Sequence, residues 1–131
     1  MLVTVACLPA TTRAAPLQVG PPATTTACTV TVTDSSPTPL TPTGNVTWSM
    51  SSVGAGGAGT FSPSAPCQLQ KFNNSTAWCQ PAVTYQPTAR GTPDGPDMDN
   101  THQIVATYSG DGLHQPTNND QIGMTPVYVK N

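Results

Sequence analysis

No stretch of twelve residues in this chain keeps a helical spacing of apolar side chains free of proline or glycine. Proline inside a helix removes a hydrogen bond and clashes with the preceding turn, so proline at this density excludes long helices. The 131 residues include 15 Pro and 11 Gly, and the commonest residue is Thr, at 22. Thr and Val favour pleated strands, while Pro and Gly punctuate turns. Strict alternation marks where the strands lie. Cys28, Val30 and Val32 alternate with Thr29, Thr31 and Thr33, then Val46, Trp48 and Met50 with Asn45, Thr47 and Ser49. Val83 and Tyr85 share one face with Cys79, and Ile104, Ala106 and Tyr108 share another. Thr60-Phe61 and a run near Met124 to Val129 complete the set, with Gly54 to Gly59 reading as a loop or weak edge.

About seven short alternating strands separated by turn signals describe an all-β sandwich of two sheets with long Pro/Gly-rich loops. The expected inward set is Val30, Val32, Val46, Trp48, Val83, Tyr85, Ile104, Ala106, Tyr108, Val127 and Val129. Each large apolar side chain contributes roughly 1.5–3 kcal/mol when buried, so this is a thin core. The chain reads as a single domain over 1–131, with an N-terminal arm over about 1–24 and an inserted loop over about 90–101.

Charge is scarce. Four Lys or Arg and six acidic residues, all Asp, leave a net charge of -2. Leu, Ile, Val and Phe number only 21, a share that signals disorder only when net charge is high, which it is not. The basic residues Arg13, Lys71, Arg90 and Lys130 are scattered, so no nucleic-acid face is expected. No run approaches the ~18–20 apolar residues of a membrane helix. The N-terminus has no basic region and its apolar run stops at Pro9, so neither a secretory leader nor a lipoprotein signal at Cys7 is expected in the sequence as given.

The cysteines are Cys7, Cys28, Cys67 and Cys79, with no Cys-x-x-Cys pair to suggest zinc. Four cysteines allow three pairings, and Cys7–Cys28 with Cys67–Cys79 closes the shortest segments. Disulfides imply an oxidising final environment.

Several segments, in order, resemble bacterial immunoglobulin-like repeat domains. They are Thr26 to Asp34, Pro42 to Ser49, Gly59-Thr60-Phe61, Cys79 with Val83 to Thr88, and Ile104 to Asp111. The most specific is the strand ending in Tyr108-Ser109-Gly110-Asp111, with His114 three residues on. The resemblance spans about Cys7 to Val129. It implies an immunoglobulin-like β-sandwich used as a spacer or adhesive module, in tandem on secreted bacterial proteins or singly on phage structural proteins. It implies no catalytic residues, a bridge between the first two strands matching Cys7 and Cys28, and a turn-stabilising role for Asp111. The insertion Arg90 to Asn100 is longer than the usual turn, and a lone domain is expected here where tandem copies are more usual.

Chemistry beyond the scaffold has few candidates. Ser109, Asp111 and His114 lie close in sequence, but no oxyanion donors accompany them, so no enzyme is expected. Asp94, Asp97, Asp99 and Asn100 offer oxygen ligands, yet their spacing does not match a calcium loop; a solvated acidic loop is expected, with neither metal nor cofactor. Asn45, Asn73 and Asn74 fit the glycosylation pattern, which occurs by chance in a Thr-rich chain. Trp48 has the spacing of a core residue. Trp78 points outward in the register that buries Cys79, and is the candidate contact residue, with covering the bridge or packing under the Lys71 to Thr76 loop as its other reading.

These readings define three expectations. The first is a non-enzymatic structural module on a virion surface, a capsid decoration or tail-surface protein that binds a protein shell and forms a homo-oligomer on it. The second is a single module of a secreted bacterial cell-surface protein or adhesin, which would contact host cell-surface glycan. The third is a carbohydrate-binding accessory domain stacking sugars on Trp78 with Tyr85 or Tyr128.

Overall fold

The computed structural model describes residues 1–114 and 122–131. Eleven strands, and no helix, are found among them: β1 (Leu2–Leu8), β2 (Leu17–Gln18), β3 (Thr26–Thr33), β4 (Asn45–Ser52), β5 (Ala58–Ser62), β6 (Cys67–Gln68), β7 (Gln70–Lys71), β8 (Thr76–Trp78), β9 (Val83–Ala89), β10 (Asn100–Tyr108) and β11 (Ile122–Lys130). They form a β-sandwich of two sheets.

In the first sheet β3 is central. β1 runs antiparallel along one of its edges from Leu2↔Thr33 to Leu8↔Ala27. The other edge is shared by β9, opposite Thr26 to Cys28, and β8, opposite Thr31 to Thr33. Beyond these lie β5 against β9 and β7 against β8. The second sheet has the order β2-β11-β10-β4-β6, antiparallel except for the short β2–β11 pair.

Alternation sets the register. Val30 and Val32 are fully buried, and Val5 and Val3 opposite them face the same core. A one-residue slip of β1 would turn Val3 and Val5 to solvent, so burial favours this pairing. The core joins these to Val46, Val83, Tyr85, Ile104, Ala106, Tyr108, Val127 and Val129, with Leu17 from β2 and Leu69 from the segment between β6 and β7.

Three expectations are corrected. Residues 1–24 are not an arm: β1 pairs along its whole length, and Leu17 plugs the core at 3% exposure. Trp48 is only half-buried, because β6 flanks β4 at Asn45 and Val46 alone and leaves the edge beside Trp48 open. Phe61 stacks on its ring at 6.1 Å. The inserted loop is solvated only in part: Thr92, Asp94 and Pro96 to Met98 are exposed, but Asp99 is buried, and Asn100 and Thr101 already belong to β10 and are buried with His102.

Both expected disulfides are present. Cys7 and Cys28 stand directly opposite one another in the β1–β3 ladder, with Cα atoms 4.0 Å apart. Cys67 on β6 joins Cys79, just after β8, and so ties the second sheet to the first. Closing a segment of this length stabilises by roughly 3 kcal/mol through the unfolded chain. The double variant C7A/C28A is therefore expected to lose about 3 kcal/mol in urea unfolding. An unchanged midpoint would show that β1 is held by its ladder and side chains alone.

Candidate functional site

The outer face of the first sheet is built by the same alternation that builds the core. Since Val30, Val32 and Ala77 point inward, Thr29, Thr31, Thr33, Thr76 and Trp78 point out. On β1 the outward residues are Leu2, Thr4, Ala6 and Leu8. The register sets Thr4 beside Thr31, Thr31 beside Trp78, and Trp78 beside Gln70. The threonines form a low floor, tied by a 3.0 Å bond between the Thr33 and Thr76 hydroxyls. Leu2 and Leu8, 58% and 73% exposed, rise on one side. On the other side Trp78 meets Phe72 edge to face at 4.5 Å, and Phe72 is 55% exposed. No ionisable side chain belongs to this trough. Trp78 is half-buried, packed against Phe72 of the segment 71–76, as its other reading has it.

Of the two tyrosines named as sugar platforms, Tyr85 is fully buried and cannot stack on a ligand. Tyr128 is half-buried, with the Arg13 guanidinium 4.8 Å above its ring. The pair lines a groove of about 460 Å³ with Thr11, Thr12, Thr125 and Pro126.

Asp94 and Asp99 are not presented to a metal. Arg13 reaches across from the segment after β1 and pairs with Asp99 at 2.7 Å and Asp94 at 3.4 Å. Asp94 also accepts from the Thr101 amide and hydroxyl, at 3.1 and 2.8 Å. Burial works to raise the Asp94 pKa, but the bonds from Thr101 and Arg13 and the arginine's charge outweigh it and hold it low. Among the described residues no group of three or more His, Cys, Asp or Glu could hold a metal ion. Next to this cluster the Asn100 amide donates to the Arg90 carbonyl at 2.6 Å and to Ser52 at 2.8 Å, and accepts from the Gly54 amide at 2.7 Å. His102 Nε2 lies 2.9 Å from the Arg90 carbonyl, which can only accept, so Nε2 carries the proton. Nδ1 then accepts from Tyr85 Oη at 2.7 Å. Burial pushes the His102 pKa down and keeps the ring neutral.

Asp111 and His114 are brought together, but not as a catalytic pair. Asp111 Oδ1 accepts the Leu113 and His114 amides, and Oδ2 accepts the Thr43 amide and hydroxyl. Tyr108 Oη donates to the Thr43 carbonyl at 2.7 Å. His114 Nδ1 faces Asp111 at 2.8 Å and Nε2 faces Asp34 at 3.0 Å, so neither nitrogen is open to act as a base. Ser109 Oγ is engaged by the Asn45 amide and the Gly110 carbonyl instead. Burial lowers the His114 pKa, but bonds to Asp111 and Asp34 and their charges outweigh it, and the net shift is upward. Asp34 is held low chiefly by the Leu40 and Ser36 amides. Asp111 is held low too: burial opposes, and the Thr43 amide, His114 and the Leu113 amide prevail. Of the glycosylation candidates, Asn73 has its side chain committed to the β7–β8 turn, accepting from the Ser75 and Thr76 amides.

Arg13 and His102 were not among the sequence candidates, and Asn100 was named only as an oxygen ligand for a metal. A signal existed for two of them, since Asn100 and His102 continue the alternation of Ile104, Ala106 and Tyr108. Their polarity hid it. Arg13 had none, because its partners lie 81 and 86 residues away.

No protein-family model, curated protein or solved structure matches this chain.

The His114 clasp predicts a pH dependence. A raised folded-state pKa gives stability that is complete below the ordinary value of 6.5 and is lost as pH rises through the raised one. The two depressed carboxylates contribute above their ordinary 3.8 and lose that contribution as pH falls through their folded-state values. His102 acts in the opposite sense to His114, since its lowered pKa costs stability below 6.5. Comparison with His114→Asn isolates the clasp. Wild-type protein is expected to exceed the variant in stability at pH 5.5 by a margin that shrinks by pH 9, read from thermal unfolding. A margin that is constant with pH would mean that His114 is not held as a cation.

Proposed function

We propose that this chain is a non-catalytic adhesive module of the immunoglobulin-like type, which lays the outer face of its first sheet on the surface of a phage particle. The observation that carries the adhesive part is the trough: an uncharged Thr floor between exposed Leu2 and Leu8 on one side and exposed Phe72 with half-buried Trp78 on the other. Exposed apolar patches rimmed by polar residues mark interaction sites, and Trp heads the residues that dominate them. The immunoglobulin-like part is supported by strand order. The longer strands run β1-β3-β9-β5 in one sheet and β4-β10-β11 in the other. Lettered in chain order these are A-B-E-D and C-F-G, the arrangement of constant-type immunoglobulin sandwiches. A scaffold whose surface bears almost no charge suits side-by-side copies on a shell, where like charges would repel.

A second reading, a module of a secreted bacterial surface protein, is favoured by the two closed disulfides, which suit a chain matured outside the cell.

Purification from the native source separates the two readings. Co-sedimentation with particles supports the virion, and recovery with the cell envelope supports the second reading. On whichever surface retains the protein, the double variant F72A/W78A is expected to bind at least about tenfold more weakly, in line with aromatic hot spots. Undiminished retention with an intact fold would overturn the adhesive role of this face.

A further inference from the structure

A smaller pocket opens where the chain crosses from the second sheet to the first, between β6 and β7. It holds about 230 Å³ and is lined by Trp48, Pro66, Pro81, Gln68, Gln70 and Gln80, among others. We propose that this pocket binds one ring of an uncharged saccharide, and that the ligand of the adhesive face is therefore a neutral glycan. This rests on the second reading above, a module of a secreted bacterial surface protein that adheres by the same face, and names its ligand class.

Four features support it. The first is charge: no lining residue is ionisable. An anionic or cationic ligand would shed water there with nothing to replace it, at a large cost. The second is hydrogen-bonding character. Each glutamine amide offers both donors and an acceptor, which suits hydroxyl groups that do the same. All three glutamines are exposed. The third is a half-buried Trp face steadied by Phe61 at 6.1 Å, a flat apolar surface for the C–H side of a sugar ring.

The fourth feature is covalent. Gln68 and Gln80 each follow a cysteine of the Cys67–Cys79 bridge, whose Cα atoms are 6.0 Å apart. The bridge thus sets the spacing of two amides that come from opposite sheets. Gln70 lies 3.4 Å from the Gln80 carbonyl through its amide, and its backbone partner across the ladder is Trp78. A longer glycan seated in the pocket can therefore continue past Gln70 onto the Trp78–Phe72 pair. Preorganised contacts of this kind lower the ordering cost of binding.

The test titrates the intact oxidised protein with lactose, maltotriose, mannotriose and chitotriose, with 3′-sialyllactose and a proline-rich peptide as contrasts. The readouts are intrinsic tryptophan fluorescence and the side-chain amide resonances of the glutamines. At least one neutral saccharide is expected to shift Gln68 and Gln80 saturably. The exposed pair variant Q68A/Q80A leaves the core untouched, and is expected to bind that sugar about tenfold more weakly, as the loss of hydrogen bonds worth about 0.5–1.5 kcal/mol each implies. Silence with all four neutral sugars, equal binding by Q68A/Q80A, or shifts produced only by the sialylated sugar or the peptide would overturn the proposal. Surface retention of F72A/W78A, measured in parallel, separates the outcomes. If it falls while every sugar is silent, the pocket proposal fails and the adhesive face stands. If it is unchanged, the adhesive reading itself fails.

Discussion

Every second residue of β10 faces the interior, and the first two of them are Asn100 and His102, both fully buried. A buried polar group without a partner costs several kilocalories, so the structure around them must supply donors and acceptors. It does so with backbone. The Arg90 carbonyl accepts from both residues, and the Gly54 amide and carbonyl answer Asn100. Loops 54–57 and 91–99 are thereby drawn onto the end of the sandwich. The glycines follow from that contact. A Cβ on Gly57 would run into Ser52 and His102, one on Gly54 into the Thr92 carbonyl, and one on Gly59 into the Tyr85 ring. What reads as a soft Gly-rich loop is a segment whose backbone is the hydrogen-bonding partner of the core.

The opposite end of the molecule meets the same requirement with charge. His114 lies between Asp111 and Asp34, and Tyr108, at the far end of β10, reaches Thr43 and Asp111. The central strand of the second sheet thus ends in a polar network at both extremities, with Ile104 and Ala106 as its apolar middle. The two networks pin the loops at the two ends, and the disulfides pin the edges: one along the β1–β3 ladder, the other between the sheets. A core built largely of valines leaves both faces free to carry threonine. Such a scaffold can present an uncharged face without depending on it for stability.

Much of this was legible residue by residue. Ten of the eleven side chains expected inside are buried, because period-2 alternation of Val and Thr reports burial directly. Both disulfides follow from segment length. Trp78 faces outward as its neighbour Cys79 required. Trp48 departs from its spacing because an edge, which periodicity does not reveal, lies beside it. The N-terminal 24 residues departed further: Val3 and Val5 alternate over too short a run to be distinguished from an arm until β3 is placed beside them.

Sequence by itself determined the strand periodicity, the absence of long helices and the scarcity of charge, since each depends on composition or on residues near one another in the chain. Only the tertiary structure decided the rest. That Arg13 pairs with both Asp94 and Asp99, that Phe72 meets Trp78 across a turn, and that Gln68 and Gln80 flank a pocket beside Trp48 are facts of sheet order and crossover. The physical reason is that hydrogen bonds and charges act over a few ångströms of space, and folding brings to that range residues that local pattern leaves far apart.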